Sequence, residues 1–155
     1  MPFLKRFVEN RGAVAGLVIL AVVVVVSLAA PLLMPGDPMS IRARPLMPPG
    51  GEFALGTDML GRDVLAGIVH GARVSLMIGL ISTVIAVLIG VSVGAIAGFF
   101  GGWVDDVLVR ITEFFQTIPS FIFAILLVAI MTPSLTSIVT AIAVVTWPPI
   151  ARLAR

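Results

Sequence analysis

Apolar residues fill this chain in long unbroken runs. No charged side chain occurs over 12–36, 74–104 or 114–151, and only Thr132-Pro133-Ser134 interrupts the last run. Helices that are apolar all round are solvated by lipid, and a hydrocarbon core needs about 20 such residues per crossing. As a single helix the last run would extend about 57 Å, nearly twice a core of roughly 30 Å, so it is expected to fold as a helical hairpin. The pattern predicts an all-α integral membrane protein with about four transmembrane helices, over 12–34, 74–100, 111–131 and 135–151. The expected connections are a tail over 1–11, a long loop over 35–73, turns over 101–110 and 132–134, and a start of a further segment at 152–155.

The first run has a rival reading. Lys5, Arg6 and Arg11 precede it, and Ser27-Leu28-Ala29-Ala30 resembles the small-residue cleavage site of a signal peptide. A signal core is typically about 7 to 15 residues, far shorter than 12–36, and Pro31 directly after Ala30 suits cleavage poorly. The run is read as an uncleaved anchor. Six basic residues, Lys5, Arg6, Arg11, Arg110, Arg152 and Arg155, fall on the side of the N-terminus, and four, Arg42, Arg44, Arg62 and Arg73, on the other. The positive-inside bias therefore puts both chain ends in the cytoplasm and the 35–73 loop outside.

Composition agrees with lipid as solvent, since 59% hydrophobic against 12% charged residues leaves too little polar surface to cover a water-soluble globule. The formal net charge of +2 is dispersed, which excludes a nucleic-acid footprint. There is no Cys for a disulfide or thiolate metal site, and the lone His70 cannot build a metal site alone. With neither a phosphate-binding Gly-x-x-x-x-Gly-Lys loop nor a Ser, His and Asp set, no catalytic, cofactor or metal residue is assigned, and the chain is not expected to be an enzyme.

The outer loop opens on a half kept extended by Pro35, Pro38, Pro45, Pro48 and Pro49. Its second half is a polar island, Leu55-Gly56-Thr57-Asp58-Met59-Leu60-Gly61-Arg62-Asp63, followed by Gly71-Ala72-Arg73-Val74-Ser75. Thr57 or Asp58 is expected to cap a short amphipathic interfacial helix carrying Arg62 and Asp63, with Asp58 and Arg62 paired at i and i+4. A solvated charged turn is the alternative.

Helix packing has its own signature. Ser82, Ala86, Gly90, Gly94 and Gly98 recur every fourth residue, a small-residue ridge on which another backbone can lie closely. The occupant is either a second copy of the chain or, as read here, a neighbour within the same core or a partner subunit. After the Gly101-Gly102 turn, Asp106, Arg110 and Glu113 share a helical face and are expected to form an ion-pair ladder at the cytoplasmic membrane edge, with proton relay as the alternative. Pro119 should bend the third span and free a carbonyl, either lining a pathway or merely tolerated. Trp147 and the Pro148-Pro149 pair lie near the inner end of the fourth span, before Ala151, Arg152 and Arg155.

The series Gly56, Thr57, Asp58, then Gly61, Arg62, Asp63, then Gly71, Arg73, Ser75 resembles the segment before the second transmembrane helix in inner-membrane permease subunits of ATP-driven dipeptide, oligopeptide and nickel importers, the dipeptide permease C type. The resemblance extends from Phe3 to Arg155, with Ile150 standing where many such permeases have Tyr. It implies the N-terminal part of a six-helix type I ABC importer permease in a bacterial or archaeal inner membrane. In that family the island is a packed extracytoplasmic segment, and Trp147, Ala151, Arg152 and Arg155 lead into a loop that docks on the ATPase; that loop and two further helices are expected beyond this sequence. Implied partners are a second permease subunit, two ATPase subunits, an external solute-binding protein and membrane lipid, with no nucleic acid and no cofactor. The implied function is inward movement of a dipeptide, oligopeptide, nickel chelate or glutathione. The alternatives are a non-transporting membrane scaffold, or an ion-coupled secondary transporter, which the absence of mid-span charge weakens.

Overall fold

A computed structural model describes residues 6–155 in full and residues 2–5 by their backbone. Met1 and the Lys5 side chain, part of the expected cytoplasmic tail, lie outside the described residues. The protein is all-α: α1 Pro2–Glu9, α2 Arg11–Leu28, α3 Ala30–Leu33, α4 Val64–Phe100, α5 Gly102–Thr117, α6 Ser120–Ile130 and α7 Leu135–Ala154. It divides into two compact units, Met1–Leu76 and Met77–Arg155.

In the first unit, Asn10 starts α2 by accepting from the Ala13 amide at 3.2 Å. The helix stops at Leu28 because Pro31 has no amide to donate to the Ser27 carbonyl; α3 then resumes from Ala29, which accepts from Leu32 and Leu33, both at 2.9 Å. The expected 12–34 span is thus two helices with one residue between them. Helix α4 begins ten residues before the expected start of the second span at 74. A charged residue ends a lipid-buried run but not a helix, and Asp63 supplies the cap: its Oδ1 accepts from Leu65 at 2.9 Å and Ala66 at 3.3 Å. His70, one turn further on, donates from Nε2 to the Met34 carbonyl at 2.9 Å, tying the end of the first span to α4.

In the second unit, Gly101 and Gly102 both adopt positive φ, +59° and +53°, which allows the reversal into α5. The expected third span is not one bent helix. Residues before proline are pushed out of the α region, Ile118 is extended at φ −87° and ψ 126°, and α5 and α6 meet at 85°. By contrast Pro148 and Pro149, expected near the end of the last span, sit inside α7, which stays helical to Ala154. Its start is capped by Ser134, which accepts from the Ser137 amide at 3.1 Å. Three helices, α2, α4 and α7, are long and apolar enough to cross a membrane, and the bent α5–α6 pair makes up to four. The core is small: Ala86, Trp147 and Ala151, with Val93, Phe115 and Ile150 packed against them.

Candidate functional site

The polar island is a clasp and not a helix. Its backbone turns at Gly56 and Gly61, with φ +75° and +78°, and folds against the proline-rich half of the same loop. The Arg42 and Ala43 amides donate to the Gly61 carbonyl at 3.0 and 3.1 Å, and the Leu46 amide donates to the Asp58 carbonyl at 3.0 Å. Thr57 is the central knot: buried, it donates its hydroxyl to the Arg44 carbonyl at 2.7 Å and accepts from the Met47 amide at 2.9 Å. Both glycines are needed twice over. Their φ values disfavour any side chain, and a Cβ would collide with the Met47 carbonyl at Gly56 or the Ala43 carbonyl at Gly61.

Asp58 and Arg62 do pair, with Nε to Oδ2 at 2.7 Å, but through a turn: Asp58 Oδ1 also accepts the Arg62 amide at 2.9 Å and the Leu60 amide at 2.8 Å. The Arg62 backbone bond is the largest influence on the Asp58 carboxyl, desolvation opposes it, and the Arg62 guanidinium and Leu60 amide add to it; the net result holds its pKa below the usual value. The interfacial helix expected here does not form, because these side chains satisfy the turn's own amides in place of an i to i+4 ladder. Gly71, Arg73 and Ser75, the rest of the motif, lie on exposed positions of α4 and take no part in the clasp.

The second feature is a close crossing. Ser82, Ala86, Gly90 and Gly94 form one buried line on α4, and Gly98 continues it at the surface. Its occupant is α7 of the same chain: a Cβ on Gly90 would lie 2.7 Å from the Ile150 Cβ and 2.8 Å from the Trp147 carbonyl. At Gly98 it would lie 2.9 Å from the Arg155 carbonyl. Small residues let the two backbones approach to a separation that larger ones forbid. Trp147 is buried there, its ring 5.4 Å from that of Phe115 in an edge-on arrangement, and Ala151 is buried beside it. A cavity of about 120 Å³ opens beside the crossing, with Thr112, Glu113, Gln116, Arg152 and Arg155 among its lining residues.

The expected ladder is absent among the described residues: Asp106 and Arg110 are exposed and form no ion pair, and Glu113 only lines the cavity. Asp105, one position earlier and so about 100° around the helix, pairs with Arg155 of α7 instead. That pair brings the start of α5 to the end of α7. Among the described residues no group of three or more His, Cys, Asp or Glu is placed to hold a metal ion.

Lipid-length apolar helices and a small-residue helix crossing define a multi-pass membrane protein. Residues 87–155 match the family of binding-protein-dependent transport system inner membrane components, and residues 3–49 match the N-terminal transmembrane domain of oligopeptide transport permease C. The chain is 38% identical to the dipeptide transport system permease protein DppC of Haemophilus influenzae, over 96% of this chain and 53% of that protein. It is 41% identical to the di/tripeptide transport system permease protein DppC of Pseudomonas aeruginosa, over 99% and 53%. With the oligopeptide transport system permease protein OppC of Mycobacterium bovis it shares 39% over 83% and 43%. The chain spans about half the length of the curated relatives it matches.

Proposed function

We propose that the protein serves as a permease subunit of an ATP-binding-cassette importer that moves peptides or similar small solutes across the inner membrane. The observation that carries this is the sequence identity of 38–41% to dipeptide permeases over nearly the whole chain. Two features of the structure support it: the α4 ridge is filled by α7, and the outer loop is a knitted clasp, both suited to a subunit that keeps its shape within an assembly. In this reading the loop faces outward, both chain ends face the cytoplasm, and the partners are a second permease subunit, two ATPase subunits that hydrolyse the nucleotide, and an external solute-binding protein. Trp147 and Ala151 anchor the last helix on α4, so that Arg152 and Arg155 are presented at the cytoplasmic side where the ATPase is coupled.

The test is uptake of a radiolabelled dipeptide by cells with and without the gene. Loss on deletion, restoration from a plasmid, survival of uptake under a protonophore and its collapse on ATP depletion are expected. Collapse under the protonophore with ATP maintained would instead establish ion coupling. Unchanged peptide uptake on deletion would reject the peptide assignment.

A further inference from the structure

The clasp exposes large aliphatic side chains that its own architecture does not require. Ile41 is 73% exposed, Leu46 70% and Met59 77%, with Leu60 beside them. They belong to the two stretches that the clasp holds face to face: Leu46 bonds to Asp58, next to Met59, and Ile41 lies against Gly61, next to Leu60. Leu46 is also the one non-glycine residue with positive φ among the described residues, at +56°, so an aliphatic side chain is displayed from a backbone conformation that Asn, Asp or Gly would adopt more readily.

We infer that this edge of the clasp lies in the lipid headgroup and upper acyl region, as a membrane-interface element. Three observations favour lipid over a protein partner. The loop is short of free chain: its start is held at the end of the first span, where Met34 is bonded to His70, and its last residue, Asp63, runs directly into α4. Leu32 and Leu33 at the end of the first span are themselves exposed, as is Met39 within the loop. The edge also carries no Trp or Tyr, the aromatic anchors that concentrate binding energy at protein interfaces. Arg42, its nearest cation in sequence, bonds within the loop to the Pro35 carbonyl at 3.1 Å and the Ser40 hydroxyl at 3.2 Å, and Arg44 is exposed beside it. Non-directional aliphatic surface is what an acyl boundary accepts.

The chain has no Cys, so single environment-sensitive labels can be placed freely. The full protein is purified as Met59→Cys, Leu46→Cys and, as a water-facing control in the same loop, Glu52→Cys. Each is labelled with a nitrobenzoxadiazole thiol probe and reconstituted into phosphatidylethanolamine and phosphatidylglycerol vesicles. The inference expects blue-shifted emission at 46 and 59, quenching there by lipids carrying a spin label near the headgroup, and quenching at 52 by aqueous iodide. A further variant, Met59→Asp, is expected to keep its fold by circular dichroism while losing the shift at 46. Equal iodide quenching at all three positions overturns the inference. So does iodide access in vesicles combined with protection in native membranes, since a protein would then be covering the edge.

Discussion

Gly94 on α4 lies directly beneath the end of α7: a Cβ added there would stand 2.9 Å from the Ala154 Cβ and 3.0 Å from the Arg155 amide. No rotamer change relieves this, because the obstacles are backbone and a side chain of one carbon. Gly94→Leu should therefore separate the helices, at a cost of about 1–3 kcal/mol or more, whereas Leu88→Ile on an exposed position of the same helix should cost less than about 1 kcal/mol. Thermal aggregation midpoints in detergent test this; equal midpoints would show that the crossing contributes nothing.

Thr57 satisfies one main-chain acceptor and one main-chain donor of the proline-rich half. Thr57→Val keeps the shape and removes both bonds, leaving the Arg44 carbonyl and Met47 amide unpaired at about 1–3 kcal/mol each if water does not reach them. Limited proteolysis should cut the 35–63 loop several-fold faster than in the parent, while Thr57→Ser should be cut at the parental rate.

The clasp should weaken in acid. The folded pKa of Asp58 is depressed, so its contribution is complete above the ordinary value of 3.8 and is lost as pH falls through the lower folded value. Protease sensitivity of the loop should rise below about pH 4, and Asp58→Asn should show the raised sensitivity already at pH 7 with a flatter acid response. An unchanged acid profile in Asp58→Asn would show that the pH dependence does not arise from Asp58.

Sidedness is checked with Glu52→Cys and Asp106→Cys, both at exposed positions and both in a chain without native Cys. An impermeant maleimide should label the first from outside intact cells and the second only after permeabilisation. Labelling of both in intact cells rejects the proposed topology.

The apolar runs and the ridge were readable because lipid solvation and close packing each leave a local mark, an uncharged stretch or a small residue every fourth position. Helix ends were not: Asp63 caps α4 well before lipid burial begins, and Asp105 to Glu113 ride on α5 as readily as on a turn. The choice between Asp105 and Asp106 as the paired carboxylate depends on which face of α5 meets α7, and nothing in their own neighbourhood encodes that. The grip of Thr57 on Arg44 joins residues thirteen apart through a single hydroxyl, and a threonine at that position looks like any other turn residue until its partner is seen. The Pro119 bend was legible, but its size was not, because proline removes the restraint while the packing of α6 on α7 sets the angle.

Pro148 and Pro149 give the end of α7 an uneven stiffness. A helix resists flexing because each turn is laced by amides donating four residues back, and two successive strands of that lacing, to Val144 and Val145, are missing here. On one side of this soft spot Trp147 is wedged against Phe115. On the other, the final turn carries Arg152 and Arg155. Beyond the gap α7 is held by its packing on Gly94 and Gly98 and by the Arg155–Asp105 pair, so its course there is set by α4 and α5 more than by its own ladder.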